Sequence, residues 1–76
     1  MRIRVFSTAT CPYCHTLKDF LKENKIEFED IDVAADKKAA KEMIEKSGQM
    51  GVPVTEIDGK IIIGFDKDAL KKALKL

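Results

Sequence analysis

The sequence predicts an α/β fold: a four-stranded mixed sheet with helices on both faces, its elements running β-α-β-α-β-β-α. Three observations carry this. Short stretches rich in β-branched and aromatic residues alternate with segments whose apolar residues recur every three or four positions, so strand and helix periods succeed one another. Asp58-Gly59 separates two short apolar runs, and that dipeptide readily supplies the positive φ values of a two-residue hairpin turn. The first two strands are joined through a helix. Such a crossover is right-handed and leaves its strands parallel, with the terminal hairpin extending the other side of the sheet.

Each element has its own warrant. Arg2 to Phe6 interleaves apolar and charged positions as a strand does and runs into the loop Ser7-Thr8-Ala9-Thr10. Pro12 suits a first helical turn, where its missing N–H would have had no partner. Cys14, Leu17, Phe20 and Leu21 then form one stripe, opposed by Lys18, Asp19, Lys22 and Glu23, and Asn24 is the expected stop. Phe28 to Val33 reads as the second strand. Asp36 can cap a second helix with Ala39, Ala40, Met43 and Ile44 on one face and Gly48 at its end. Val52 to Ile57 and Lys60 to Ile63 are the hairpin strands, expected antiparallel. Asp66 or Asp68 can cap a last helix whose Ala69, Leu70, Ala73 and Leu74 face inward, while Lys71, Lys72 and Lys75 complement the negative end of its dipole.

With 76 residues, 45% of them hydrophobic, the chain is expected to form one domain over residues 1–76, near the lower size at which a core suffices. Fourteen basic residues against thirteen acidic ones leave a net charge of +1, so nothing in the charge balance points to nucleic acid. The apolar run Ile61-Ile62-Ile63 falls far short of the ~20 residues of a membrane span, and no apolar segment opens the chain as a signal peptide does. The expectation is a cytoplasmic monomer without membrane association. Charged residues of mixed sign are spread along the chain; they fit a solvated surface and identify no partner.

The two cysteines carry the chemistry. They stand within four residues of each other, so a bond between them closes too short a loop to staple the fold. Cys11-Pro12-Tyr13-Cys14 lies where a strand's trailing loop meets a helix, which puts Cys11 at the N-cap and Cys14 one turn inside. At the N-cap the Cys11 sulfur faces unpaired backbone N–H groups and the positive end of the dipole, both of which favour thiolate. Cys14, directed toward the core, is expected to stay a thiol until a mixed disulfide forms. Cys11 is then the attacking nucleophile and Cys14 the resolving thiol, with an internal disulfide as product. C-x-x-C beside a βαβ pattern is a fairly specific signal for thiol–disulfide exchange.

Other readings compete. Two thiols packed as small apolar groups would be inert, but an N-cap cysteine is poorly placed for burial. Zinc needs four ligands, and Cys11, Cys14 and His15 supply at most three, so a zinc or iron–sulfur site requires a dimer. Cys11 to His15 also spells the C-x-x-C-H of c-type haem attachment, with Met43 or Met50 as a conceivable axial ligand. The lack of an export signal, Pro12 and a strand-rich chain with little apolar bulk oppose it. Pro53 is either an ordinary trans residue ending a loop or a cis residue that presents the Val52 backbone to an extended thiol substrate. Tyr13 is either an exposed tip or a wall for a partner's disulfide.

Cys11-Pro12-Tyr13-Cys14 after a first strand, Gly51-Val52-Pro53-Val54 before a hairpin and Ile63-Gly64-Phe65-Asp66 before the last helix together resemble a glutaredoxin, over essentially the whole chain. The resemblance implies the thioredoxin fold with sheet order 2-1-3-4, a cis Pro53 opposite Cys11, and reduction of protein or small-molecule disulfides through Cys11 and Cys14. It implies no bound cofactor, and a substrate surface of Thr10, Tyr13, Val52, Pro53, Gly64, Phe65 and Asp66. Glutathione, as co-substrate, or a thioredoxin-reductase type enzyme would reset the pair. Glutathione-using glutaredoxins typically carry a basic residue three positions before the first cysteine, another shortly before the cis-proline motif, and Gly-Gly entering the last helix. Here those positions read Thr8, Gln49 and Gly64-Phe65, a pattern more similar to small reductase-linked donors.

Overall fold

The computed structural model describes residues 2–76. Its elements are β1 (Ile3–Ser7), α1 (Pro12–Glu23), β2 (Glu29–Asp32), α2 (Lys37–Ser47), β3 (Val54–Ile57), β4 (Lys60–Ile63) and α3 (Lys67–Leu74). The sheet order is β2-β1-β3-β4. β1 runs parallel to β2, with Val5 opposite Asp30, and antiparallel to β3, with Val5 opposite Thr55. β3 and β4 form the expected hairpin, turning through Asp58 and Gly59 at φ of 48° and 89°.

Strand alternation divides the core between the two faces. Ile3, Val5, Ile57 and Ile62 meet Leu17, Phe20 and Leu21 of α1 and Leu70 and Leu74 of α3. Phe6 and Val54 meet Ala39 and Met43 of α2 on the opposite side. Each fully buried leucine stabilises by about 1.5–3 kcal/mol, which makes truncation of Leu17 or Leu70 the most direct way to break the α1–α3 layer.

The helix ends follow the chemistry of their caps. Asp36 Oδ1 accepts from the Ala39 N–H at 3.1 Å, and Gly48 closes α2 at φ 73°. Of the two candidate caps for α3 the structure uses Asp66, whose Oδ1 accepts from the Ala69 N–H at 3.1 Å; Asp68 lies in the first turn. Several boundaries differ from expectation. Arg2 lies outside β1, although its backbone exchanges hydrogen bonds with Asp58, and Ser7 lies inside it. β2 is shorter than Phe28 to Val33, because those two apolar residues flank an acidic edge strand and pack on the core from outside it. β3 begins at Val54, since Pro53 has no N–H for the ladder. Ile44 is 38% exposed; α2 seats through Ala39 and Met43, one position round from it.

A four-residue ion network ties α2 to the sheet. The Arg4 guanidinium donates to Glu42 at 2.9 and 3.1 Å and pairs with Glu56, while Lys46 donates to Glu56 at 2.6 Å and lies 3.1 Å from Glu42. Hydrogen bonds from Arg4 and then Lys46 hold the Glu42 carboxyl down at about 2. Burial alone would raise Glu56, but the bonds from Lys46 and Arg4 overcome it and its net displacement is downward. One buried polar atom lacks a partner among the described residues, the Thr55 hydroxyl.

Candidate active site

Three loops meet at the end of the sheet toward which β1 points. The first leaves β1 after Ser7 and enters α1 at Cys11, whose extended backbone (φ −92°, ψ 112°) is that of an N-cap. Its sulfur accepts from the Cys14 N–H at 3.2 Å. The loop is held by the Cys11 N–H on the Thr8 carbonyl at 3.4 Å and by the His15 ring, whose Nε2 is 3.0 Å from the Ala9 carbonyl. His15 thus faces the loop backbone instead of the sulfurs. Among the described residues no group of three or more His, Cys, Asp or Glu side chains is arranged to hold a metal ion.

The second loop runs from α2 to β3. Gln49 closes it like a clasp: the side-chain amide donates to the Gly51 carbonyl at 2.9 Å and its oxygen accepts the Gly51 N–H at 2.6 Å. The Val52-Pro53 bond is cis, and the Cys11 thiol lies 3.9 Å from the Val52 carbonyl, to which it donates. The third loop joins β4 to α3. Gly64, at φ 75°, donates its N–H to the Pro53 carbonyl at 2.8 Å, so the second and third loops are bonded to each other. Positive φ is why glycine stands there.

Both cysteines are thiols and their surroundings differ. Cys11 is half-buried, whereas Cys14 is sealed beneath it. Burial, then the hydrogen bond with Cys11, pushes the Cys14 thiol up to about 11, against partial opposition from the Thr8 backbone and the Lys18 charge.

Of the residues expected from sequence, Cys11, Cys14, Val52, Pro53 and Gly64 are joined in one chain of contacts. Pro12 opens α1, and Tyr13 stands 68% exposed beside it. Thr10 is exposed on the first loop. Two expected substrate residues are engaged elsewhere: the Phe65 ring packs edge-on against Phe20 at 6.0 Å between centroids, and Asp66 caps α3. Met50, named from sequence only as a conceivable haem ligand, stands 77% exposed on the second loop, and the polar group of Ser7, Lys18 and Asp30 near Cys14 was not anticipated. Lys18, expected among the residues opposing the Cys14 stripe, is instead half-buried at its flank, with a side chain only 14% exposed; the signal was available, because it follows Cys14 by four residues.

The family model for glutaredoxin matches residues 3–62. The glutaredoxin-like 8.6 kDa protein of the rubredoxin operon of Clostridium pasteurianum is 47% identical over 73 residues, 96% of this chain and 97% of that one. Among solved structures, a mutant of the thioredoxin-like protein BC3987 superposes with a TM-score of 0.92 at 31% identity, covering 97% of this chain and 95% of the other. The Escherichia coli NrdH-redoxin, a glutaredoxin-like protein with a thioredoxin-like activity profile, superposes with a TM-score of 0.84 at 28% identity, covering 95% and 93%.

Proposed function

The chain belongs to the glutaredoxin family of thiol–disulfide oxidoreductases, and we propose that it works as a dithiol carrier through Cys11 and Cys14, reset by a thioredoxin-reductase type enzyme in preference to glutathione. The observation that carries the dithiol reading is the inequality of two sulfurs one helical turn apart: Cys11 reaches solvent and Cys14 does not. Cys11 Sγ attacks one sulfur of a target disulfide, and the other target sulfur leaves with the electron pair and takes up a proton. Cys14 then gives up its proton and attacks Cys11 Sγ, releasing the second target thiol. The target disulfide gains two electrons and two protons, and the protein is left with a Cys11–Cys14 disulfide.

The Val52 carbonyl beside the Cys11 sulfur supports docking of the target as an extended segment along Gly51-Val52, in the manner of strand addition. Tyr13, with Thr10, forms the open side of that approach. Replacing Cys14 with Ser tests the assignment. A mixed disulfide with the target should then accumulate on Cys11, and full activity of that variant on protein disulfides would refute the dithiol route.

The preference for a reductase is supported by what stands at the glutathione-binding positions. Thr8 and Gln49 offer no cation for a carboxylate, the Gln49 amide is already occupied by Gly51, and Phe65 keeps its bulk where a glycine would admit close backbone approach. The thioredoxin-like profile of the E. coli NrdH-redoxin points the same way. Side-by-side rates of disulfide reduction with glutathione and with a reductase fed by reduced nicotinamide decide it. Saturation by glutathione at low concentration with no response to a reductase would overturn the preference and leave the cysteine roles intact.

A further inference from the structure

Beside the buried Cys14 lies a polar group that the exchange scheme leaves without a task. The Lys18 ammonium, its side chain only 14% exposed, donates to Asp30 Oδ2 at 3.1 Å and to the Ser7 hydroxyl at 3.4 Å, and Ser7 in turn donates to Asp30 Oδ1 at 2.9 Å. This closed triangle draws on α1, β2 and the end of β1. It fixes the tip of a side chain that otherwise explores many rotamers. Lys18 follows Cys14 by one turn on the same helix face, and its charge acts on the Cys14 thiol.

Resting on the dithiol reading, we infer that Lys18 is a positioning residue for the resolving step, its ammonium held by Ser7 and Asp30 where it stabilises the negative charge that develops on Cys14 Sγ. In that step the Cys14 proton passes to solvent, the Cys14–Cys11 bond forms as the Cys11–target bond breaks, and the target sulfur leaves with the electron pair and is protonated. A thiol raised by burial holds little thiolate at neutral pH, so a fixed cation nearby has its largest effect on this step. The charged or titratable groups around Cys14 are Cys11, His15 and Lys18 from α1 and Asp30 from β2. His15 is turned to Ala9, and Asp30 lies 3.1 Å from the Lys18 ammonium, so its charge offsets part of that of Lys18.

An aromatic disulfide whose thiolate is coloured separates the steps, since Cys11 attack releases one equivalent and Cys14 resolution releases a second. Lys18→Met should leave the first release within about twofold and slow the second on the order of tenfold at neutral pH, with the pH dependence of the second moved upward. Lys18→Arg should restore most of that rate. Asp30→Asn keeps an acceptor for Lys18 and Ser7 while removing the opposing charge, so its second release should equal or exceed that of the unmodified protein. Slowing of the second release by Asp30→Asn, or an unchanged second release in Lys18→Met, overturns the inference and assigns the triangle to tethering α1 on β2. Absence of a second release in the unmodified protein would instead refute the dithiol reading itself. Should Lys18→Met fail to fold, Lys18→Arg and Asp30→Asn decide alone: Asp30→Asn must give a second release no slower than that of the unmodified protein, and Lys18→Arg must retain at least about half of that rate.

Discussion

Changing Glu42 to Gln removes the carboxylate that receives two hydrogen bonds from Arg4 and lies 3.1 Å from Lys46, while leaving a side chain of the same shape. A carboxyl lowered from the ordinary 4.5 to about 2 corresponds to at most about 3 kcal/mol of differential stability. Glu42 is 37% exposed, and solvent screening reduces that ceiling to about 1–2 kcal/mol. The sign follows from the direction: a lowered carboxyl stabilises the fold through its ionised form, fully above pH 4.5 and progressively less as the pH falls toward 2. Urea unfolding of both proteins across that window should show the Gln variant less stable by about 1–2 kcal/mol at neutral pH, with unchanged m-value. The two curves should converge near pH 2. A gap that stays constant through the acid range, or no gap at neutral pH, would refute the reasoning, because the first is not electrostatic and the second leaves the pair without value. Since Lys46 lies in the last turn of α2, just before the second loop of the candidate site, the same variant should also loosen that loop to proteolysis.

Brief iodoacetamide treatment at neutral pH followed by peptide mapping should find Cys11 carboxamidomethylated and Cys14 nearly untouched, because the buried thiol neither meets the reagent nor ionises; comparable labelling would remove the assigned roles. Thr55→Val deletes a buried hydroxyl without a partner at almost constant volume and should stabilise the fold by about 1 kcal/mol, read as a higher urea midpoint; a lower midpoint would mean that the hydroxyl is satisfied by an internal water. Thr8→Lys should raise glutathione-dependent turnover by up to about tenfold, the value of one charge-assisted bond at a half-buried position still in contact with water, with a smaller effect on the reductase-dependent rate. Equal gains with both reductants would refute the carboxylate explanation.

The fold was legible because its signals are local. Helix stripes, the Asp36 and Asp66 caps, Gly48 and the Asp58-Gly59 turn each declare themselves within a few residues. Boundaries were less so. Phe28 and Val33 lent apolar weight to an edge strand that is Glu-Asp-Ile-Asp, and their packing on the core is a tertiary fact. Within the site, the C-x-x-C spacing and the N-cap position of Cys11 were readable, and the inequality of the sulfurs follows from them. The Lys18, Asp30 and Ser7 triangle was not, because two of its three members come to α1 only through sheet pairing.

Gln49 and Phe65 show how structure changes the meaning of a departure from a motif. Read in sequence, each is a missing glutathione contact. In the fold, Gln49 closes the loop that carries Val52 and Pro53, and Phe65 extends the core against Phe20. Replacing Phe65 with glycine therefore removes an aromatic pair worth about 0.5–1.5 kcal/mol beyond its buried area, and replacing Gln49 with arginine opens the loop on which the proposed strand addition would depend. Among the described residues the Thr8 side chain makes no comparable hydrogen bond or aromatic contact. The proposed preference for a reductase is thus tied to packing and loop closure at two positions and to charge alone at only one. On that proposal, glutathione specificity would require compensating changes in the α1–α3 layer, so Thr8→Lys, at a half-buried loop position, is the variation that best separates recognition from stability.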